Sequence, residues 1–247
     1  MEKYAKLKKR LIITVIVIVA LVASYYIYAF VRHDALIKEA KKVVELDVND
    51  ELITSNFNKL QAAKKVNQCG VNITTYFTNK KVTVDDLSND FVYETVLGNI
   101  GDKEEISKKE FHKELLNIFG ANYSYLDTTY FSCPTYKYDD DSNSYKKTNE
   151  DCGGVCVYQN EYKIVGGRTE ANKLSIDVRV LFLNADQVNG TFDYYSDFEL
   201  TKKVASFDAA SGTKVDDSLI EKGTLYRMTF YRDGKNYIFD SSEIVKE

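Results

Sequence analysis

The sequence predicts an α+β fold: an N-terminal transmembrane helix, a helical segment, and then a curved antiparallel sheet of about five strands packed on helices. Three observations predict it. Leu11–Val31 is an apolar run of 21 residues without charge or proline. Apolar residues recur at helical spacing between residues 36 and 120, and they alternate with period two after residue 122. Helices followed by strands are typical of an α+β domain.

The apolar run is long enough to cross a membrane, which takes about 20 residues. A basic segment precedes the run, so the positive-inside rule places the N-terminus in the cytoplasm and the C-terminal domain outside. We therefore expect a single-pass signal anchor in the plasma membrane. The alternative is a secreted protein cleaved near Val22-Ala23-Ser24. Bulky aromatic residues continue the run to Val31 and favour retention.

The predicted organisation has four parts. Residues 1–10 form a basic cytoplasmic tail and 11–31 the transmembrane helix. Residues 32–66 form a stalk helix and a packing helix. Residues 67–247 form the extracytoplasmic α+β domain, with a polar insert over 134–151.

Four segments carry helical or mixed patterns. The stalk helix includes Val43 and Val44, and the packing helix runs from about Asn49 to Lys65. Residues 67–83 are less regular, and only Val71 to Phe77 alternate as in a strand. Asp85 is placed to cap a helix that closes at Gly101.

The clearest helix signal lies between Ile106 and Gly120. Ser107 and Glu110 match a capping box, and Ile106 and Phe111 are spaced as a hydrophobic staple. Gly120 stands where a left-handed cap is needed, so we expect the helix to end there.

The C-terminal half reads as strands. The predicted strands are 155–165, 173–184, 191–205, 224–232 and 235–240. Asp233-Gly234 is a type I′ hairpin signal between the last two strands. Gly166-Gly167 is interpreted as a turn at a strand end.

The charge distribution restricts the partners. The whole chain has a formal net charge of −4, and residues 1–33 carry a positive excess, so the remainder is strongly acidic. Nucleic acids and anionic lipid surfaces require a basic face, so we expect no nucleic-acid partner. Apart from the membrane contact of the anchor, a protein or cell-wall partner is expected.

The cysteines are Cys69, Cys133, Cys152 and Cys156. An even number outside the cytoplasm predicts two disulfide bonds. The pairing stays open, although Cys133 with Cys152 or Cys156 is favoured because either closes one hairpin-like loop. A four-cysteine zinc site needs two closely spaced pairs, and the chain has one, Cys152-x3-Cys156.

The insert has the spacing of a calcium loop. Asp139, Asp141 and Asn143 stand at positions 1, 3 and 5, and Glu150 stands at position 12. However, position 6 is Ser144, where the loop needs glycine for a sharp turn. A solvated hairpin tip has the same composition, so both interpretations stay open.

No catalytic or cofactor motif is present. The chain has two histidines and lacks phosphate-binding loops and nucleophile motifs. We therefore expect a non-enzymatic binding module without a cofactor, which uses the sheet face or the insert. The alternative is a sensor domain that binds a small molecule or ion in a cavity of the curved sheet, and a hydrolase with an acidic site is a third hypothesis.

Four stretches carry a family resemblance: YFTNKKVTVDDLSND (76–90), ISKKEFHKELLNIFGANYSY (106–125), CPTYKYDDD (133–141) and YRMTFYRDGKNYIF (226–239). They resemble uncharacterised single-pass membrane proteins of low-GC Gram-positive-type bacteria, over most of residues 70–247. The arrangement of helices before a sheet is similar to cystatin-like or nuclear-transport-factor-two-like domains. That resemblance implies a pocket or an interface and no defined chemistry.

Overall fold

The structure is a computed structural model that describes residues 24–26, 32, 42–66, 72–121, 123, 136–148, 160–186, 188–210 and 215–246. The chain divides into two compact units, 1–43 and 44–247. Nearly all the described elements belong to the second unit.

The predicted membrane anchor is not supported. Most of Leu11–Val31 lies outside the described residues, and 24–26 are helical. Within the part of the chain that the structure describes, no helix combines the length and the apolar character needed to span a membrane. The structure therefore corrects the expected transmembrane helix and the single-pass localisation that depended on it.

Four α-helices and three 3₁₀ helices are described. The α-helices are α1 (Glu51–Gln61), α2 (Asn89–Ile100), α3 (Lys108–Phe119) and the short α4 (Asp217–Ile220). The 3₁₀ helices span Ala62–Lys65, Ile73–Tyr76 and Val84–Asp86.

The strands form two sheets. Their bounds are β1 (Val43–Leu46), β2 (Val82–Thr83), β3 (Glu105–Ser107), β4 (Tyr136–Asp139), β5 (Ser144–Lys147), β6 (Glu161–Glu170), β7 (Lys173–Asp186), β8 (Thr191–Tyr195), β9 (Lys203–Asp208), β10 (Thr224–Asp233) and β11 (Asn236–Ile244). The larger sheet has eight strands in the order β1-β6-β7-β10-β11-β2, and β8 and β9 extend it from β7. The smaller sheet has the order β3-β5-β4. Each neighbouring pair from β6 to β2 in this order is antiparallel, as are the pairs β7/β8 and β8/β9 and both pairs of the smaller sheet.

The predicted fold class is wrong in two respects. The main sheet has eight strands rather than about five, and β1 to β5 come before or between the helices. Val43 and Val44 were predicted to lie in the stalk helix, but they belong to strand β1. Adjacent β-branched residues favour a strand. The molecule is therefore predominantly an antiparallel β-structure with few helices.

Two local side-chain turns explain further differences. Residues 191–205 contain two strands rather than one, because Asp197 accepts hydrogen bonds from the amides of Thr201 (3.1 Å) and Lys202 (2.7 Å) and closes a loop between them. Residues 73–76 form a 3₁₀ helix instead of the expected strand, because the Asn72 side chain accepts a bond from the Thr74 amide (2.8 Å).

The helix between Ile106 and Gly120 is confirmed. The Ser107 hydroxyl accepts a hydrogen bond from the Glu110 amide at 3.2 Å. Ile106 and Phe111 are both buried, and Gly120 has a positive φ of 78°. Helix α2 begins differently from the prediction, because Ser88 caps it and Asp85 lies in the preceding 3₁₀ helix.

The core fills one face of the main sheet. Ile176 and Val178 of β7 and Met228 of β10 are fully buried in one cluster with side chains of α1, α2 and α3. Phe77 stacks on Tyr226, with ring centroids 4.6 Å apart. The alternative hypothesis requires a ligand cavity on this face of the sheet. In the described residues, these side chains fill the face.

Candidate functional site

A cleft of about 430 Å³ lies at one corner of the main sheet. Its walls come from the end of α3, from the segment that follows β2, and from the adjoining ends of β10 and β11. A volume of this size lies in the range of known ligand sites, which is about 300–1,000 Å³. The cleft is therefore the candidate site.

Apart from Thr83, the side chains that line the cleft are acidic, aromatic or apolar, and none is basic. The acidic and aromatic members are Asp85, Asp233, Asp240, Phe119, Tyr123 and Tyr231. Carboxylates attract a cation directly, and aromatic faces attract it through the negative potential of the ring. This composition suits a positively charged ligand with an apolar portion.

The end of α3 forms one wall. Phe119 is buried and its ring centroid lies 6.0 Å from that of Tyr123. The Tyr123 hydroxyl donates to Asn89 Oδ1 at 2.7 Å, which fixes the ring at the cleft. At Gly120 a Cβ would come within 3.2 Å of the Ile238 side chain, so glycine serves both the positive φ and the close approach to β11.

The carboxylates differ in their surroundings. Asp240 accepts a hydrogen bond from the Ser241 hydroxyl at 2.7 Å and lies 4.0 Å from the Lys81 ammonium. Asp85 and Asp233 are exposed, and no ion pair to either one is formed within the described residues. Two carboxylates of the cleft are thus available to a cation from outside.

The aromatic side of the cleft already accommodates one ammonium group. Lys173 Nζ lies 5.6 Å from the ring centroid of Tyr231, whose side chain is 41% exposed. That distance is within the range of a cation–π contact. The ring can therefore contact a second cation only from its free face or edge.

The predicted calcium ligands lie on a different part of the chain. Asp139 ends β4, and Asp141 and Asn143 lie in the turn between β4 and β5. Lys146 donates to the Asp139 carboxylate and holds its pKa below the usual range. In the described ranges, no three His, Cys, Asp or Glu side chains form a metal-binding group. Glu150 lies outside them, so the calcium site stays a prediction.

The hairpin geometry shows why calcium-like spacing arises here. Tyr138 donates from its hydroxyl to Asn143 Oδ1 at 2.6 Å, and Asn143 has a positive φ of 51°. The Asp139 carboxylate accepts the Asp141 amide at 3.0 Å. Asp and Asn are favoured in such turns for these local bonds.

The predicted disulfide bonds fall outside the described part of the chain. All four cysteines, Cys69, Cys133, Cys152 and Cys156, lie outside the described residues, and no disulfide joins the residues that are described. The expected disulfide framework therefore has no support in the structure.

Gly166 and Gly167 lie within β6 beside a register shift, so their interpretation as a strand-end turn is wrong.

The cleft was missed at the sequence level. Its residues come from 83–85, 119–121, 123 and 231–240, and these segments are distant along the chain. Asp85 was interpreted as a helix cap and Asp233 as a turn residue. The acidic character of the domain was the one signal for a cationic ligand, and it does not identify a position.

Comparisons with known proteins identify no relative. The sequence matches no protein-family model, no curated protein and no solved structure. The resemblance to low-GC bacterial membrane proteins and to cystatin-like or nuclear-transport-factor-two-like domains stays a prediction.

Proposed function

We propose that this chain is a non-catalytic binding module whose cleft recognises a basic segment of a partner protein. One observation carries the proposal: Asp85 and Asp233 are exposed, form no ion pair within the described residues, and share with aromatic rings a cleft that has no basic lining residue. A lysine or arginine has a charged head and a long apolar stem, so it can use both features.

The shape of the cleft favours a polypeptide over a small metabolite. The cleft is bounded by exposed residues on two sides, Asp85 and Asp233, and the buried residues Phe119 and Phe239 form its apolar floor. A small-molecule site usually encloses most of its ligand. A cleft with exposed charged margins and an apolar floor has the polar rim and apolar centre of a protein interface.

The inner face of the main sheet offers less support for the sensor alternative. Residues such as Val178, Val180 and Met228 are completely buried there by the helices. Within the described residues, the cleft at the corner of the sheet is the better-supported position for a ligand.

The test is a binding measurement with the full-length chain. The probe is an acetylated, amidated peptide, Thr-Lys-Val-Thr-Val-Lys-Thr, and its counterpart has both lysines replaced by glutamate. We expect isothermal titration calorimetry to detect the lysine peptide alone. Its affinity should fall as salt rises from about 0.05 M to about 0.5 M, because exposed charges are screened.

A double variant tests whether the peptide binds in the cleft. Asp85→Asn/Asp233→Asn should weaken binding by up to about thirtyfold, since each exposed ion pair contributes up to about 1 kcal/mol. The matched control, Asp140→Asn/Asp141→Asn, removes the same charge from the β4–β5 turn and should bind as the wild type does. Equal binding of both peptides, or loss of binding in the control alone, would refute the proposal.

A further inference from the structure

Strand β11 has an edge without a strand partner beside the cleft, where the end of α3 touches it through the side chain of Asn236, which donates to Asn117 Oδ1 at 3.0 Å. Its neighbour β2 pairs with it at Ser241 and Ser242 only. Toward its start, from Asn236 to Asp240, β11 has no strand partner on that side within the described part of the chain. An unpaired edge presents backbone N–H and C=O groups that another chain can pair with.

The turn after β2 keeps this edge open. Asp86 Oδ2 accepts hydrogen bonds from the Thr83 amide at 2.7 Å and from the Thr83 hydroxyl at 2.8 Å. These bonds close the 3₁₀ helix Val84–Asp86 and take the chain away from β11 after two paired residues. Val84 and Asp85 thus form the wall opposite Ile238, Phe239 and Asp240, and the cleft lies between them.

A β-bulge makes Asp240 available to a ligand. The pairing of β10 with β11 shifts between Phe230↔Phe239 and Thr229↔Ser241, so Asp240 is the extra residue without a partner on β10. Bulges re-aim the side chain of the inserted residue, and they are frequent at binding sites. The Asp240 carboxylate lines the cleft.

We propose that the partner segment binds in extended form and adds a strand to β11 along Asn236–Asp240. This inference rests on the proposed function and specifies its mode of recognition. The new strand continues the line of β2 and pairs its backbone with the free edge. Its basic side chains contact Asp233, which lies on β10 beside the start of β11, and Asp240, which faces Asp85 across the cleft.

The positions of the carboxylates define a spacing for the ligand. Asp233 pairs with Asn236 at the start of β11, and Asp240 lies four residues after Asn236. At about 3.3 Å per residue, the two ends are about 13 Å apart. Residues i and i+4 of an extended peptide span the same length on one face, so the ligand has the pattern Lys-x-x-x-Lys.

The test compares four peptides on the full-length chain, and in the fourth the two lysines are adjacent. The first is the lysine peptide above, which has this spacing. The second has N-methyl groups on two alternate backbone amides between the lysines, and a third carries them on the intervening amides. An added strand pairs through alternate amides, so we expect one methylated peptide to lose at least tenfold in affinity and the other to lose clearly less. Hydrogen exchange at the amides of 237–240 should slow when the first peptide is bound.

The outcomes separate the two proposals. Suppose that the lysine peptide binds, that N-methylation leaves its affinity unchanged, and that binding leaves hydrogen exchange at 237–240 unchanged. Strand addition is then wrong and the basic-ligand proposal stands. If no lysine peptide binds, both proposals fail. If a peptide with adjacent lysines binds as tightly as the spaced one, the spacing is wrong.

Discussion

Arg227 and Asp177 face each other across β10 and β7 and form a bidentate ion pair. Arg227 Nε donates to Asp177 Oδ1 at 2.7 Å, and Nη2 donates to Oδ2 at 2.8 Å. The two residues are direct register partners in the centre of the main sheet. Their side chains are 23% and 22% exposed, so the pair is partly shielded from water.

The geometry of this pair predicts a cost for a conservative substitution. Arg227→Lys keeps the charge and removes the planar fork, so we expect the free energy of unfolding to fall by about 1 kcal/mol. Urea denaturation measures it. Arg168→Lys is the control, because Arg168 makes no ion pair within the described residues. An equal loss in both variants would show that the bidentate bond adds nothing.

Two neighbouring glycines in β6 are expected to respond differently to a methyl group. At Gly167 a Cβ would lie 2.6 Å from Ile53 Cδ1 and 2.8 Å from the Ser175 carbonyl oxygen, whereas at Gly166 nothing lies within 4 Å. Gly167→Ala should destabilise the protein by about 1–3 kcal/mol through overpacking. Gly166→Ala is the matched control and should change stability by less than about 1 kcal/mol. Thermal unfolding of the two variants compares them, and similar melting temperatures would contradict the packing of α1 on β6.

Ala171 carries backbone strain in the loop between β6 and β7. Its φ is 54°, a region that disfavours residues with a Cβ. Ala171→Gly should therefore stabilise the protein by about 0.5–1 kcal/mol, after the entropy that glycine adds to the unfolded chain. Ala209→Gly, in an exposed turn without positive φ, should be neutral or destabilising. A stability decrease at both positions would argue against the strained conformation.

Asp193 gives the protein a defined acid sensitivity. Its side chain is 5% exposed, and the Lys203 ammonium and the Ser206 hydroxyl hold its pKa below the usual range. Because the folded pKa is lowered, the carboxylate contributes stability above the ordinary aspartate value of about 4. That contribution is lost as pH falls through the lower folded value.

Substitution of Asp193 isolates this contribution. Between about pH 6 and about pH 2.5, the urea midpoint of the wild type should fall more steeply than that of Asp193→Asn. The variant should be less stable near neutral pH and closer to the wild type in acid. If the urea midpoints of the two proteins fell in parallel with pH, Asp193 would have the same pKa in the folded and unfolded states.

The sequence predicted local structure well where one short segment determines it. Helix α3 follows from its capping serine, its apolar stripe and Gly120, all within one segment. Strands β7 and β10 follow from alternation over long stretches. The last hairpin was predicted one residue early, because Asp233 pairs with Asn236 and the loop is Gly234-Lys235.

Features that depend on distant residues were not predicted. Strand β2 has two residues, too few to show a period, and it exists because β11 pairs with it. The cleft has the same origin, since Asp85 and Asp233 become neighbours of one cavity only after β2, β11 and α3 have packed. Spacing along the chain carried no information about that arrangement.

The most direct test of the central claim is a backbone amide NMR titration of the full-length chain with the lysine peptide. Resonances of 83–85, 119–121, 123 and 231–240 should shift most as the peptide is added, because residues of these segments line the cleft. Asp85→Asn/Asp233→Asn should reduce those shifts at the same peptide concentration. Shifts concentrated in 136–147, or on the β6 and β7 strands away from the cleft, would contradict the account.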